Sequence, residues 1–250
     1  MSVYRGSRKH ILDWVEQESF AQDLTEILRP TGAVIAAVDR WQPEGYSAPE
    51  EAQLKQFGPE LLPHAVDWDA LSDWWLVHKR GANTPNWDLV STCHVDGHQG
   101  LVLVEAKAHE AELKSDPKAP PDATARRRLE NHEHIGKAIE EARAELDARV
   151  GGVGISRDSH YQLANRVAYS WKLASLGLPV VLVYLGFLGD EGIRDVGEPL
   201  KDQQHWQSVL RDHCSGILPD TFFDRWIECG KAHMQMIVRS RPILEQSPSR

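Results

Sequence analysis

Apolar residues recur along this chain at two spacings, and each spacing indicates one kind of secondary structure. Recurrence every three or four residues predicts amphipathic helices, and continuous or alternating apolar runs predict strands. The predicted helices are His10–Leu28, Ser47–Leu62, Trp68–His78, Thr124–Arg149 and Ser159–Leu176. The predicted strands are Ala33–Val38, Asn86–Val95, Gly100–Ala108 and Pro179–Phe187. Residues 203–240 add further helices and a candidate edge strand at Met234–Val238.

Helices and strands follow one another in an order that predicts an α/β fold with a mixed central β-sheet flanked by helices. A single domain would then cover residues 1–250. Its parts would be an N-terminal helical region with one strand (1–80), a core (85–190) with an inserted helix at 124–149, and C-terminal helices with an edge strand (200–240). The stretch Asp116–Asp122 holds three prolines and is expected to be an exposed connection, and the polar tail from Glu245 is expected to fray.

A β-hairpin is predicted where two of the strands are joined by Asp96-Gly97-His98-Gln99, because an Asp-Gly pair between apolar runs is a strong hairpin signal. The sequence is compatible with two lengths of this loop. A two-residue loop places Asp88 opposite Glu105, whereas a four-residue loop places Asp88 opposite Lys107.

Asp88, Glu105 and Lys107 interrupt these otherwise apolar strands. Strand side chains alternate between the two faces of a sheet, so both registers place the three residues on one face and Trp87 on the other. Directly opposed side chains have Cβ atoms about 5 Å apart, so the two carboxylates could share a divalent cation with the carbonyl of Ala106. The alternative is a structural ion-pair cluster, because unpaired charges within an apolar sheet are costly.

Composition restricts the classes of protein that can carry this cluster. The chain has 250 residues, 41% of them hydrophobic, and a formal net charge of −9. Three cysteines without a CxxC spacing are typical of a reducing compartment, and we find neither a secretory signal nor an apolar run long enough to cross a bilayer. We therefore expect a cytoplasmic protein without a membrane partner. Its acidity disfavours coating nucleic acid through net charge but allows a local basic groove.

The stretch from Asp88 to Lys107 resembles the motif of the PD-(D/E)XK nuclease superfamily. Asp88 is followed by 16 residues that span the hairpin, and Glu105-Ala106-Lys107 comes after four aliphatic residues; the proline of the motif lies three positions before Asp88, at Pro85. The resemblance implies a restriction-endonuclease-like core with helical additions. It also implies that Asp88, Glu105 and the Ala106 carbonyl bind Mg²⁺ or Mn²⁺, and that Lys107 is the catalytic lysine. The implied activity is hydrolysis of phosphodiester bonds in nucleic acid, with DNA favoured.

A second feature concerns the helix that follows this strand, which in several branches of the superfamily carries a Gln and a Tyr near the substrate or the metal. The predicted helix Ser159–Leu176 carries Gln162, Arg166 and Tyr169 at positions i, i+4 and i+7, which share one helical face. The resemblance therefore implies Gln162 as a further catalytic residue, and Arg166 and Tyr169 as contacts to the substrate phosphate.

Two other classes of function stay open. The chain could be a non-catalytic binding or assembly module that keeps a nuclease-like fold and uses the Asp-Glu-Lys cluster as a structural salt bridge. It could also be a histidine-based metallohydrolase acting on a small molecule, which requires His94 or His109 to approach Asp88. A homodimer or a protein partner could complete the site of a nuclease of this kind.

Overall fold

The computed structural model describes residues 4–62 and 66–244. The helices are α1 Gly6–Val15, α2 Phe20–Leu28, α3 Leu54–Leu61, α4 Trp68–Trp75, α5 Arg126–Val150, α6 Tyr161–Leu176 and α7 Gln203–Cys214. The strands are β1 Trp41–Gln42, β2 Ala52–Gln53, β3 Asn86–Trp87, β4 Leu89–Val95, β5 His98–Lys107, β6 Val180–Leu188, β7 Trp226–Glu228 and β8 His233–Pro242.

The main sheet of the described residues has the strand order β1-β4-β5-β6-β8-β7, and β2 pairs with β3 in a separate ribbon. Strands β5, β6 and β8 run parallel, while β1, β4 and β7 pair antiparallel with their neighbours. The connection from β5 to β6 contains the helices α5 and α6. Two parallel strands need a long connection of this kind, because the chain has to return to the same end of the sheet. This architecture confirms the predicted fold class, an α/β protein with a mixed central sheet flanked by helices.

Each face of the sheet carries its own hydrophobic core, because the central strands are apolar on both sides. On β5, Leu101 and Leu103 pack with residues of α5, α6 and α7, whereas Val102 and Val104 pack with residues of α1 and α2. All four of these side chains are fully buried. Burial on both faces explains why β5 and β6 appear in the sequence as continuous apolar runs instead of alternating ones.

The predicted hairpin is present and has the shorter of the two loops. Val95 pairs with His98, and the loop residues Asp96 and Gly97 have φ angles of 49° and 79°. Two successive positive φ angles are the signature of a type I′ turn, which favours Asp-Gly because glycine adopts such angles without strain. The resulting register continues to Leu89 opposite Val104.

The N-terminal region differs from the sequence-based expectation in two places. The predicted helix His10–Leu28 is two helices, because four polar residues at 16–19 interrupt the apolar spacing. The predicted strand Ala33–Val38 is a loop with one isolated bridge, from Val34 to His94. The side chain of Asp39 accepts a hydrogen bond from the Ala36 backbone N–H at 2.7 Å, which folds this segment back on itself.

Other element boundaries shift by a few residues or change their place in the sheet. The helix expected over Ser47–Leu62 begins only at Leu54, after the short strand β2. Met234–Val238, expected at the sheet edge, lies inside it: β8 pairs with β6 on one side, and β7 is the edge strand. The connection Asp116–Asp122 has no helix or strand. The tail from Glu245 lies outside the described residues.

Candidate functional site

The candidate site begins where the β4–β5 ladder ends, at the carboxyl end of β5. The chain bends at Asp88, so that β4 starts at Leu89 while Asn86 and Trp87 pair with β2 instead. At this point Oδ2 of Asp88 accepts a hydrogen bond from the Ala106 backbone N–H at 2.7 Å. The carboxylate thus replaces the carbonyl that a continued strand would have offered, and the side chain is held beside Glu105.

Glu105 and Lys107 project from β5 into the core that contains α6, and both are almost fully buried, with 1% and 5% of their surface exposed. Lys107 Nζ lies 2.5 Å from Oε1 of Glu105. The other carboxylate oxygen, Oε2, accepts a hydrogen bond from Nε of Arg166 at 2.6 Å. Each oxygen of Glu105 therefore has its own cationic partner.

Arg166 enters this cluster from the second turn of α6 and is itself 7% exposed. Its Nη1 donates to Oδ1 of Asn165 at 2.6 Å, and its guanidinium carbon lies 4.7 Å from the ring centroid of Trp87. These contacts satisfy a buried arginine that would otherwise be costly. The resemblance implies a contact from Arg166 to the substrate phosphate, whereas in the structure its guanidinium donates to Glu105.

The charges of the cluster shift one another's protonation. Burial, together with the nearby Glu105 carboxylate, raises the pKa of Asp88 to about 7. Burial also acts to raise the pKa of Glu105, but Arg166 and Lys107 outweigh it and hold that pKa below its ordinary value. The pKa of Lys107 is raised, because Glu105 and Asp88 outweigh the effect of burial. Near neutral pH, Glu105 and Lys107 are charged and Asp88 is close to half protonated.

The oxygen donors at Asp88 suit a hard cation such as Mg²⁺ or Mn²⁺. The N–H and C=O of one strand residue point to the same side of the strand, so the Ala106 carbonyl faces the side of Asp88. Within residues 4–62 and 66–244, no group of three or more His, Cys, Asp or Glu side chains is placed to hold a metal ion. A cation here would have the carboxylates of Asp88 and Glu105, the Ala106 carbonyl and water as its ligands. To bind it, Glu105 would lose its ion pair with either Lys107 or Arg166.

The three residues predicted on one face of α6 differ in their exposure and surroundings in the structure. Gln162 lies in the first turn of α6 and is partly exposed. Tyr169 is fully buried, and its ring packs against Trp75 with centroids 5.4 Å apart. Because it has no exposed surface, Tyr169 is a core residue and does not reach a surface at which a substrate could bind.

Trp87 also differs from its predicted position on the sheet face opposite Asp88. The bend at Asp88 interrupts the alternation of side chains, so Trp87 packs on the same side as Val90 and Arg166.

Sequence reasoning also missed Tyr184, which is buried and pairs in register with Glu105 on the neighbouring strand β6. A tyrosine within the otherwise apolar run of β6 was the available signal.

The two histidines of the metallohydrolase alternative contact carboxylates other than Asp88. His94 Nδ1 lies 3.3 Å from Oδ2 of Asp39, and His109 Nε2 lies 3.3 Å from Oε1 of Glu112. Within the described part of the chain, neither histidine makes a hydrogen bond or an ion pair with Asp88.

No helix among residues 4–62 and 66–244 has the length and apolar character needed to span a membrane. In comparisons with protein families, with curated proteins and with solved structures, nothing matches this chain.

Proposed function

We propose that this protein is a metal-dependent nuclease that hydrolyses phosphodiester bonds in nucleic acid, with DNA as the favoured substrate. The proposal is carried by one observation: at the carboxyl end of β5 Asp88 accepts a hydrogen bond from the Ala106 N–H, and Glu105 and Lys107, the residues on either side of Ala106, form an ion pair. Two nearby carboxylates with an adjacent backbone carbonyl are donors of the kind that Mg²⁺ and Mn²⁺ favour. Asp88 is partly exposed, which gives a cation a route to the cluster.

Electrostatics supports a cation at this place. The pKa of Asp88 is raised to about 7 first by burial and then by the facing Glu105 carboxylate. A divalent cation between the two carboxylates would remove this repulsion and take the place of the proton. Only the contribution of Glu105 to this pKa shift favours a cation, because burial by itself favours the uncharged carboxyl group.

In this proposal Asp88, Glu105 and the Ala106 carbonyl would hold the cation, which would supply Lewis-acid polarisation of the phosphate and would make a nearby water more acidic. Lys107 orients the attacking water and offsets negative charge that develops on the phosphate. Gln162 steadies the substrate from the start of α6. Arg166 acts through Glu105 as a positioning residue, because its guanidinium is committed to that carboxylate.

The protein has a net charge of −9, which disfavours the binding of nucleic acid through overall electrostatic attraction. Binding would depend on local positive groups, because the protein as a whole repels a polyanion. A second copy of the chain or a partner protein would bring a second site to the opposite strand of a duplex.

The second candidate is a binding or assembly module in which the cluster is structural. It is favoured by the observation that both oxygens of Glu105 already accept from cationic side chains and that Glu105 is almost fully buried. In that case Lys107 and Arg166 compensate a buried charge, and no metal binds.

Calorimetric titration with Mg²⁺ and Mn²⁺ separates the two functions. We expect wild type to bind the cation, Asp88→Asn to lose binding, and Lys107→Met to keep binding. Cleavage of single- and double-stranded DNA and RNA is measured on the same preparations, and both variants should lose it. Asp69→Asn is the matched control, because its side chain is 98% exposed outside the cluster. A wild type that binds neither ion would refute the nuclease and leave the module.

A further inference from the structure

Tyr184 interrupts the apolar run of β6 next to the candidate site. The other residues of β6 are valine, leucine, glycine and phenylalanine. Tyr184 pairs in register with Glu105 of the parallel strand β5, and neighbouring strands lie about 4.8 Å apart. Residues in register on neighbouring strands project from the same face of a sheet. The Tyr184 side chain therefore projects, like that of Glu105, into the core that contains α6.

The hydroxyl group of Tyr184 makes no hydrogen bond within residues 4–62 and 66–244, although only 2% of the residue is exposed. The neighbouring Trp206 Nε1 donates to the backbone carbonyl of Tyr184, at 3.1 Å, and not to its side chain. Buried tyrosine hydroxyls usually have a partner. Phenylalanine would fill the same space without a polar group to satisfy. The hydroxyl is thus an unused hydrogen-bond donor beside Glu105.

The groups around this hydroxyl carry both signs of charge. Glu105 and Asp88 act on it as carboxylates, Arg166 acts on it as a cation, and the thiol of Cys214 is also near. Burial, followed by the Glu105 carboxylate, raises the pKa of Tyr184 well above its ordinary value of 10.0. The hydroxyl therefore keeps its proton at neutral pH and can donate it to an acceptor. Among these neighbours, Glu105 is the acceptor that pairs in register with Tyr184.

Glu105 needs such a donor when a cation binds. In the structure Lys107 lies 2.5 Å from Oε1, and Arg166 lies 2.6 Å from Oε2. A cation would displace one of these two partners from the carboxylate. In the proposed function Lys107 then contacts the attacking water, so Glu105 keeps Arg166 alone. Carboxylates that bind metals are oriented by hydrogen bonds from neighbouring groups, and losing one such bond typically lowers metal affinity about 10–100-fold.

We propose that Tyr184 is a positioning residue for metal binding, whose hydroxyl donates a hydrogen bond to Glu105 once Mg²⁺ or Mn²⁺ replaces Lys107 there. The inference rests on the proposed function, because it requires a cation at Asp88 and Glu105. It adds a residue of β6 to a site otherwise built from β5, α6 and the bend at Asp88. Since the hydroxyl is unpaired within the described residues when no cation is bound, removing it should weaken metal binding without destabilising the metal-free protein.

The test is calorimetric titration of the full chain with Mn²⁺, for wild type, Tyr184→Phe and Tyr169→Phe. Tyr184→Phe should bind Mn²⁺ about tenfold more weakly than wild type. Tyr169→Phe is the matched control, because it removes the hydroxyl of a tyrosine that is buried against Trp75, and it should bind Mn²⁺ as wild type does. Urea unfolding with a chelator present measures the metal-free protein. The urea midpoint of Tyr184→Phe should be no lower than that of wild type, because no hydrogen bond is lost.

Equal Mn²⁺ affinities of wild type and Tyr184→Phe would overturn the role of Tyr184 and leave the nuclease in place. A lower metal-free urea midpoint of Tyr184→Phe, or the same loss of affinity in Tyr169→Phe, would also overturn it, because the effect would then be that of a structural hydroxyl. A wild type that binds no Mn²⁺ refutes both the nuclease and the role of Tyr184. A tenfold loss of affinity in Tyr184→Phe, with no cleavage of nucleic acid by wild type, would support Tyr184 and refute the nuclease.

Discussion

Replacing Asp88 with asparagine should stabilise the protein at alkaline pH. In the folded chain the pKa of Asp88 is raised to about 7 from an ordinary value of 3.8, because the carboxyl group is mostly withdrawn from water and lies near the Glu105 carboxylate. Ionised Asp88 is therefore unfavourable in the fold. Asparagine has nearly the same shape and can still accept the hydrogen bond from the Ala106 N–H, but it carries no charge.

The magnitude follows from the difference of about three pKa units. Each unit corresponds to 1.36 kcal/mol, so ionised Asp88 costs the fold about 4 kcal/mol at most. Partial exposure of the side chain to water reduces this value. Since the folded pKa is the higher one, the stability associated with protonated Asp88 is complete below pH 3.8 and is lost as pH rises to about 7.

Urea unfolding of wild type and Asp88→Asn at a series of pH values, with a chelator present, measures this difference. The asparagine variant should equal wild type near the acid end of the range and gain stability steadily up to pH 7, with no further gain above. A difference that does not change with pH, or a variant less stable than wild type at pH 8, would show that Glu105 and burial do not act on Asp88 as described. The same variant should bind no Mg²⁺, so that stability and function change in opposite directions.

Two further substitutions test the packing around the site. Arg166→Met leaves Oε2 of the buried Glu105 without its partner and should lower the free energy of unfolding by about 3–5 kcal/mol. The control is Arg126→Met, at a side chain that is 90% exposed, which should change the free energy of unfolding by less than about 1 kcal/mol. Equal effects of the two substitutions in urea unfolding would contradict a buried ion pair. Gly186→Ala places a Cβ 2.7 Å from the Trp206 ring and should cost about 1–3 kcal/mol. Unfolding followed by tryptophan fluorescence measures that loss, and an unchanged midpoint would mean that α7 does not pack on β6 at this point.

Much of the candidate site could be predicted because its information is local in the sequence. Asp96-Gly97 determines the turn through its preference for positive φ angles, and the turn determines a register that runs to Leu89 opposite Val104, next to Asp88 and Glu105. The two-residue alternation of a strand places Glu105 and Lys107 on one face. The fold class followed from the alternation of amphipathic helices and apolar strands.

The residues that the sequence misplaced depend on contacts between distant parts of the chain. Tyr169 shares a helical face with Arg166 in the pattern, but packing against Trp75 buries it completely. Met234–Val238 is short enough to be an edge strand, yet β7 covers it and makes it internal. Neither outcome is encoded in the spacing of residues within a single element.

What the sequence by itself determined is therefore the set of local periods and turns, which depend on backbone conformations a few residues apart. The tertiary structure decided which charges compensate each other. Arg166 reaches Glu105 across 61 residues, and the bend that turns Trp87 under Arg166 exists because β3 pairs with β2 while β4 pairs with β5. A buried charge requires a partner wherever the fold can supply one, and only the packed structure determines which residue that is.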